Sequence, residues 1–174
     1  AQFIQPFLHA YQDGRTPSPC VFCNRQIKWS AILQKADETG AEYVATGHYA
    51  RLKSTQDGLS QLWKAADPAK DQSYMLTFLT QNMLKRTLLP LGDFSKPEIR
   101  RIAYDLGLAV SERPDSQDLC FLACTDYRDF LRQHAEQPPL PGPIFHTDGR
   151  LLGQHQGLAF YTIGQRKGLP SATE

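Results

Sequence analysis

The chain has 174 residues, of which 41 % are hydrophobic, enough to build a core. The formal net charge is only +1, so a nucleic acid could be bound through local basic patches but not through overall charge. No apolar run approaches the ~18 residues of a membrane helix and no signal peptide is visible, which favours a cytoplasmic protein without a membrane partner.

The beginning of the chain has the pattern of two helices joined by a loop. Residues 2–13 have apolar side chains at helical spacing, which predicts an amphipathic helix. The prolines within 16–19 predict a rigid loop. Asn24 is then predicted to cap a second helix, whose inward face would include Ile27 and Ile32.

The middle of the chain indicates an α/β fold. A short apolar strand is predicted at 43–46, and because it follows a helix directly it is typical of a parallel sheet. A hairpin is predicted over 49–65 with its turn at Asp57-Gly58. Ser95 and Glu98 have the spacing of a capping box, which predicts the start of another helix.

The last third of the chain is smaller and mixed. Thr125 is predicted to cap a helix, and the four prolines of 138–143 predict a segment without regular structure. A second hairpin is predicted around Asp148-Gly149. We therefore divide the chain into an α/β part, 1–115, and a small mixed α+β part, 116–174.

The four cysteines are the first candidates for chemistry. Without a secretion signal, their thiols favour metal or redox chemistry over a disulfide framework. Cys23 is predicted to abut a helix N-terminus, where unpaired N–H groups and the helix dipole stabilise a thiolate. The C-x-x-C pair of Cys20 and Cys23 leaves zinc binding and redox chemistry equally open. Cys120 is either a mobile nucleophile or a small core side chain.

Two other segments could bind ligands. Gly47 and His48 follow the predicted strand, at the end of a parallel sheet where ligands often bind, although a turn glycine beside a satisfied histidine would read the same way. The side chains of Lys70, Asp71 and Gln72 could hold phosphate or ribose. A solvated helix start would explain those three residues equally well.

Seven segments, read together, resemble the tRNA-specific 2-thiouridylases, in the order found in that family and over nearly the whole chain. They are TPSPCVFCNRQIKW, VATGHYARL, KDQSYML, LPLGDFSKPEIRRIAYDLGL, DSQDLCF, GQHQGL and YTIGQRKGL. The resemblance implies a PP-loop ATP pyrophosphatase. Its expected parts are a Rossmann-like (adenine nucleotide alpha hydrolase-like) catalytic domain, a small central domain and a C-terminal β-barrel.

The pyrophosphate-binding SGG-x-D-S loop of that family does not occur in this sequence. The family places this loop upstream and the barrel downstream, so we expect an internal fragment that is inactive alone. On this basis 1–115 is expected to be the C-terminal portion of the ATPase catalytic domain. The remainder, 116–174, is expected to be the central, tRNA-binding domain.

The resemblance also implies a reaction. ATP with Mg²⁺ would adenylate the 2-carbonyl oxygen of the wobble uridine of tRNA, and a persulfide sulfur would then displace AMP. A sulfur-donor protein would supply the persulfide. Cys23 resembles the first catalytic cysteine of the family and Cys120 the persulfide carrier, and the two can form a disulfide.

Other positions match binding residues of the family. Gly47 matches a backbone contact to ATP, and His48 matches a contact to tRNA. The strip that faces the target base consists of Ser18, Pro19 and Cys20. A tRNA-contacting loop consists of Lys70, Asp71 and Gln72. Many members carry, in place of Cys20, an aspartate proposed as an acid or base, and the thiol departs from that pattern.

Two alternatives remain. If the thiols of Cys20, Cys23 and Cys120 converge as the resemblance implies, their proximity as thiolates is costly without a cation or a covalent bond. A [4Fe–4S] cluster held by these three thiols, with one iron open to sulfide, would thiolate the same base. A non-catalytic nucleic-acid module would instead hold zinc through four thiols, those of Cys20, Cys23, Cys120 and Cys124.

Overall fold

The computed structural model describes residues 4–112, 119–122, 126–135 and 138–170. The chain forms two compact units. The larger unit is Cys20–Ser116, and the smaller unit combines Ala1–Pro19 with Gln117–Glu174.

The larger unit mixes helices with two separate strand pairs. Its helical elements are α2 (Pro19–Cys23, starting one residue before the unit), a π-helix (Asn24–Trp29), α3 (Ser30–Thr39), a 3₁₀-helix (Ser73–Leu76), α4 (Gln81–Lys85) and α5 (Lys96–Asp105). Its strands are β1 (Val44–Ala45), β2 (Ala50–Ser54), β3 (Ser60–Lys64) and β4 (Thr87–Leu88).

The strand pairs confirm the α/β prediction. β1 and β4 run parallel, with Val44 opposite Thr87. β2 and β3 form the predicted antiparallel hairpin, and Gly58 adopts a φ of 71° in its turn. Glycine is favoured at a position with such a positive φ because it has no Cβ.

The predicted start of the second helix is wrong. The helix begins at Pro19, and the backbone stays in the right-handed helical region at Cys23 and at Trp29. Asn24 is therefore inside the helical segment, where its side chain is 1 % exposed and its Nδ2 donates to the Met75 carbonyl at 3.0 Å. The buried amide explains the error, because its partner is far away in sequence.

The predicted inward face of this helix is also partly wrong. Ile27 and Ile32 are 45 % and 38 % exposed, whereas Ala36, on the same helical segment, is buried. The prediction assumed 3.6 residues per turn throughout, but 24–29 form a π-helix with a wider turn. The wider turn displaces the apolar positions on either side of it from a common face.

Trp29 is the centre of the larger unit's core. Its ring is 1 % exposed and belongs to a buried cluster with Ala50, Leu76, Leu79 and Leu84. The indole Nε1 donates to Thr87 Oγ1 at 2.7 Å, which links the helical segment to β4. The Thr87 hydroxyl in turn donates to the Met83 carbonyl at 2.7 Å, so every polar atom of this contact is paired.

α5 has the predicted capping box. The Ser95 hydroxyl accepts from Glu98 N, and the Glu98 carboxylate accepts from Ser95 N at 2.7 Å. None of the α5 residues is buried within the described structure. The start of this helix was therefore predictable from its capping box, although none of its apolar side chains is fully buried.

The smaller unit contains two helices that pack on a short 3₁₀-helix, and a hairpin. Its elements are α1 (Ile4–Gln12), a 3₁₀-helix (Cys120–Leu122), α6 (Tyr127–His134), β5 (Gly142–Phe145), β6 (Leu151–His155) and a 3₁₀-helix (Leu158–Phe160). The buried core consists of Phe7, Leu8, Tyr11, Leu122, Phe130, Leu131, Ala159 and Phe160. The Tyr127 hydroxyl adds a polar link, since it donates to the Phe160 carbonyl at 3.0 Å.

Two predictions for this unit need correction. Asp126 caps α6, because its side chain accepts from Arg128 N at 2.8 Å; the predicted cap, Thr125, lies outside the described residues. The proline-rich segment is not wholly irregular, since Gly142 and Pro143 belong to β5. Across both units, no helix in the described parts of the chain is long and apolar enough to cross a membrane.

Replacing Thr87 by valine tests the buried indole contact. Thr87→Val keeps the shape of the side chain but leaves Trp29 Nε1 without an acceptor, so we expect a loss of about 1–3 kcal/mol in the free energy of unfolding. Urea denaturation followed by tryptophan fluorescence measures it. Thr77→Val, which removes an exposed hydroxyl, is the control, and equal losses in the two variants would contradict the assignment.

Candidate functional site

The C-x-x-C motif lies on a helix, not before one. Cys20 and Cys23 are three residues apart in α2, a spacing that places two side chains on one face. Both are half-buried. The helix begins at Pro19, so the N–H groups without a partner in the helix are those of Ser18, Cys20 and Val21. The predicted position of Cys23 at the helix N-terminus is therefore wrong.

The residues just before the motif differ in exposure. Ser18 is exposed and lies outside the helix, while Pro19 is buried as the first helical residue. Proline is well suited to this position because the N–H it lacks would have no partner there. Of the strip predicted to face the target base, the hydroxyl of Ser18 and the half-buried thiol of Cys20 are the open groups.

Cys120 begins a 3₁₀-helix of the smaller unit and is exposed. Cys20, Cys23 and Cys120 form no disulfide, so the disulfide that the resemblance implied is not formed in this structure. Within the described ranges, no three Cys, His, Asp or Glu side chains are grouped as metal ligands. The fourth ligand of the zinc module, Cys124, lies outside the described residues.

Gly47 and His48 follow β1 at its C-terminal end, as predicted. Gly47 is exposed, and a Cβ there would meet only Leu91 Cδ1, at 3.6 Å. The backbone at this position is therefore open to a ligand. His48 is half-buried, with Nδ1 hydrogen-bonded to Thr46 Oγ1 at 3.1 Å and its ring centroid 5.4 Å from that of Trp29.

The environment of His48 favours its neutral form. Burial lowers the pKa of His48, and the nearby Lys28 ammonium lowers the pKa further. A neutral imidazole beside the end of a parallel strand can offer a hydrogen bond without carrying charge.

The loop at 70–72 is tied to the segment that follows His48. Gln72 Oε1 accepts from Tyr49 N at 2.9 Å, and Gln72 N donates to Tyr49 O at 2.8 Å. Asp71 Oδ1 accepts from Ala65 N at 2.8 Å. These two side chains, which were predicted to contact tRNA, thus hold the loop against the hairpin.

The charge of Asp71 is stabilised within this loop. Burial raises the pKa of Asp71, but hydrogen bonds from Ala65 N and from the hydroxyl and N–H of Ser73, together with the Lys64 charge, outweigh it, and the pKa is lowered. The neighbouring Lys70 is half-buried and has interactions of its own.

The sequence did not reveal the buried structural role of Asn24 in this region. Its buried amide joins the cysteine-bearing helix to the 3₁₀-helix that follows the loop at 70–72. One signal was present: asparagine is a poor residue for a helix interior, so it has a structural reason wherever it occurs there.

Two family models match consecutive parts of the chain. Residues 1–124 match the family model described as "tRNA methyl transferase HUP domain", and residues 128–172 match the "tRNA methyl transferase PRC-barrel domain". The chain is thus an α/β protein with a Rossmann-like HUP domain. It belongs to the family that the HUP-domain model defines.

Two similar relatives share one description. The chain is 50 % identical over 169 residues to the tRNA-specific 2-thiouridylase MnmA of Moorella thermoacetica, covering 97 % of this chain and 47 % of the relative. It is 48 % identical over 172 residues to that of Symbiobacterium thermophilum, covering 98 % and 44 %. The chain therefore spans about half the length of the curated relatives it matches.

The lowered pKa of His48 predicts a pH dependence of stability. The unfolded chain binds a proton near the ordinary value of 6.5, whereas the folded protein resists protonation of this ring. The stabilisation is therefore fully present above that pH and is lost as the pH falls through it towards the folded pKa. His48→Asn should flatten the stability profile between about pH 7.5 and 5, measured by urea unfolding. Parallel profiles for the two proteins would rule out this role of His48.

Proposed function

We propose that this chain is part of an ATP-dependent tRNA-uridine 2-sulfurtransferase, which replaces the 2-oxygen of the wobble uridine with sulfur. The observation that carries the proposal is the C-x-x-C helix, with half-buried thiols at Cys20 and Cys23, in a chain about half identical to tRNA-specific 2-thiouridylases along nearly its full length. The matching family models are named for methyl transfer. A helix that presents two thiols is better suited to sulfur transfer than to methyl transfer.

The first step activates the uridine. The 2-carbonyl oxygen attacks the α-phosphorus of ATP, pyrophosphate leaves, and the oxygen becomes part of an AMP leaving group. Without this step the oxygen is a poor leaving group and the carbon a poor electrophile. The exposed backbone of Gly47, at the C-terminal end of β1, fits a contact to the nucleotide. The described residues contain no group of three or more His, Cys, Asp or Glu side chains that could hold a metal ion.

The second step transfers sulfur. The terminal sulfur of a persulfide on Cys120 attacks C2, so that a C–S bond forms and the C–O bond breaks with release of AMP. The Cys23 thiolate then attacks the inner sulfur, leaving the thiocarbonyl on the base and forming a Cys23–Cys120 disulfide. In the reducing cytoplasm a thiol reductant restores the two thiols, and a sulfur-donor protein supplies the next persulfide.

The persulfide route requires two thiols, whereas the [4Fe–4S] alternative requires Cys20 as well. We favour the persulfide route because it needs only the thiols of Cys23 and Cys120. Iron and sulfide analysis after anaerobic purification separates the two mechanisms: stoichiometric iron that is lost in Cys20→Ser would favour the cluster.

The tRNA has to present its uridine outside the anticodon stack, because the reacting carbonyl is inaccessible within it. We assign Ser18 and Cys20 to the surface that receives this base, with the buried Pro19 holding the backbone between them. We assign His48 and Lys70 to contacts with the tRNA. The hydrogen bonds of Asp71 and Gln72 within the protein favour a positioning role for these two residues: they hold the loop that carries Lys70.

Replacing Cys120 by serine separates the two steps. In the full-length protein, Cys120→Ser should abolish 2-thiouridine formation while leaving tRNA-dependent AMP transfer intact, because the hydroxyl cannot carry a persulfide. Mass spectrometry of the product tRNA and pyrophosphate release measure the steps separately. Cys124→Ser is the control and should thiolate normally; normal thiolation by Cys120→Ser would refute the assignment.

The salt dependence of tRNA binding tests Lys70. Lys70→Ala in the full-length protein should weaken binding and lower the slope of log K against log salt by about 0.7–0.9, as expected for one lost phosphate contact. Lys85→Ala is the matched control from the same unit and should leave the slope unchanged. A slope that stays at the wild-type value in Lys70→Ala would remove this contact from the proposal.

A further inference from the structure

Two exposed phenylalanine rings meet on the surface of the larger unit, beside the C-x-x-C motif. The ring centroids of Phe22 and Phe78 lie 5.1 Å apart at an interplanar angle of 73°, and the side chains are 48 % and 43 % exposed. Every other contact between two aromatic rings within the described ranges includes a buried or half-buried side chain. We call the pair the Phe22–Phe78 platform.

A buried hydrogen bond links the two chain segments that carry the platform. Asn24, two residues after Phe22, donates its buried Nδ2 to the carbonyl of Met75, three residues before Phe78. The two rings also attract each other in an edge-to-face arrangement, which is a favourable aromatic geometry. Moving the two chain segments apart would break a hydrogen bond at a residue that is 1 % exposed, so the segments that carry the rings stay close together.

A basic side chain follows Phe22 closely in the chain. Arg25 is exposed and lies in the first turn of the π-helix, three residues after Phe22. The overall charge of the chain is only +1, so this local charge is not part of a general basic surface. Exposed aromatic rings flanked by a cation are the combination with which proteins bind unpaired bases and their phosphates.

We propose that the Phe22–Phe78 platform stacks an unpaired base of the tRNA anticodon loop, next to the target uridine, while Arg25 contacts the adjoining phosphate. The inference rests on the proposed function and adds a binding site to it. Phe22 lies within the C-x-x-C motif on α2, so a base on the platform lies within about one helical turn of the two thiols. Extruding the uridine removes a stacking partner from its neighbour, and the platform replaces that partner.

The test uses the full-length protein and an anticodon stem-loop that carries 2-aminopurine next to the target uridine. Phe22→Ala and Phe78→Ala should each weaken binding about 5- to 150-fold and abolish the fluorescence quenching that stacking causes. Phe22→Tyr and Phe78→Tyr should retain both properties because they keep the ring. The slope of log K against log salt should stay unchanged in the phenylalanine variants but fall in Arg25→Ala.

Tyr104→Ala, which removes an exposed aromatic ring elsewhere in the same unit, is the control and should bind as the wild type does. Wild-type affinity and quenching in both alanine variants would overturn the platform. A change in oligomeric state without an effect on RNA binding would also overturn it, since the rings would then contact another protein. A wild-type protein that neither binds the stem-loop nor forms 2-thiouridine would instead overturn the proposed function itself.

Discussion

The hydrogen bond from Trp29 to Thr87 connects the helical segment of the larger unit to its parallel strand pair. The indole lies in a helical segment, and its acceptor belongs to β4, which pairs with β1. A buried indole N–H without an acceptor is costly, so the distance between helix and sheet has little freedom. The ring also contacts His48, at the end of β1. The core thereby fixes the candidate nucleotide contact and the thiol-bearing helix relative to each other.

A second buried polar contact sets the finer geometry. Asn24 follows Cys23 and bonds to Met75, while Gln72, in the same segment as Met75, bonds to the backbone of Tyr49. The residues around 70–76 therefore tie the thiols on one side to the end of β1 on the other. The π-helix fits this arrangement, since such wide turns are frequent at functional sites and turn a side chain out of regular register.

Sequence reading succeeded where the structural signal is local and failed where it depends on distant residues. The capping box of Ser95 and Glu98 was predictable because both partners lie within one turn. The position of Asn24 was not, because its partner is 51 residues away. The loop at 70–72 shows the same limit: its polar side chains looked available for a ligand, but the backbone atoms that Asp71 and Gln72 bind belong to other segments.

Two buried polar atoms without partners are consistent with a site in which the segment at 70–76 has to be held in place. Asn24 Oδ1 and the Tyr49 hydroxyl are buried and have no hydrogen-bond partner among the described residues. Each such atom costs about 1–3 kcal/mol, more than an apolar side chain of similar size would. Both residues nevertheless use their other polar atoms to hold the segment at 70–76. These unpaired atoms lower the stability at the two points where the segment bonds to Asn24 and to Tyr49. The same two points hold the thiol-bearing helix and the end of β1 at a set distance from each other.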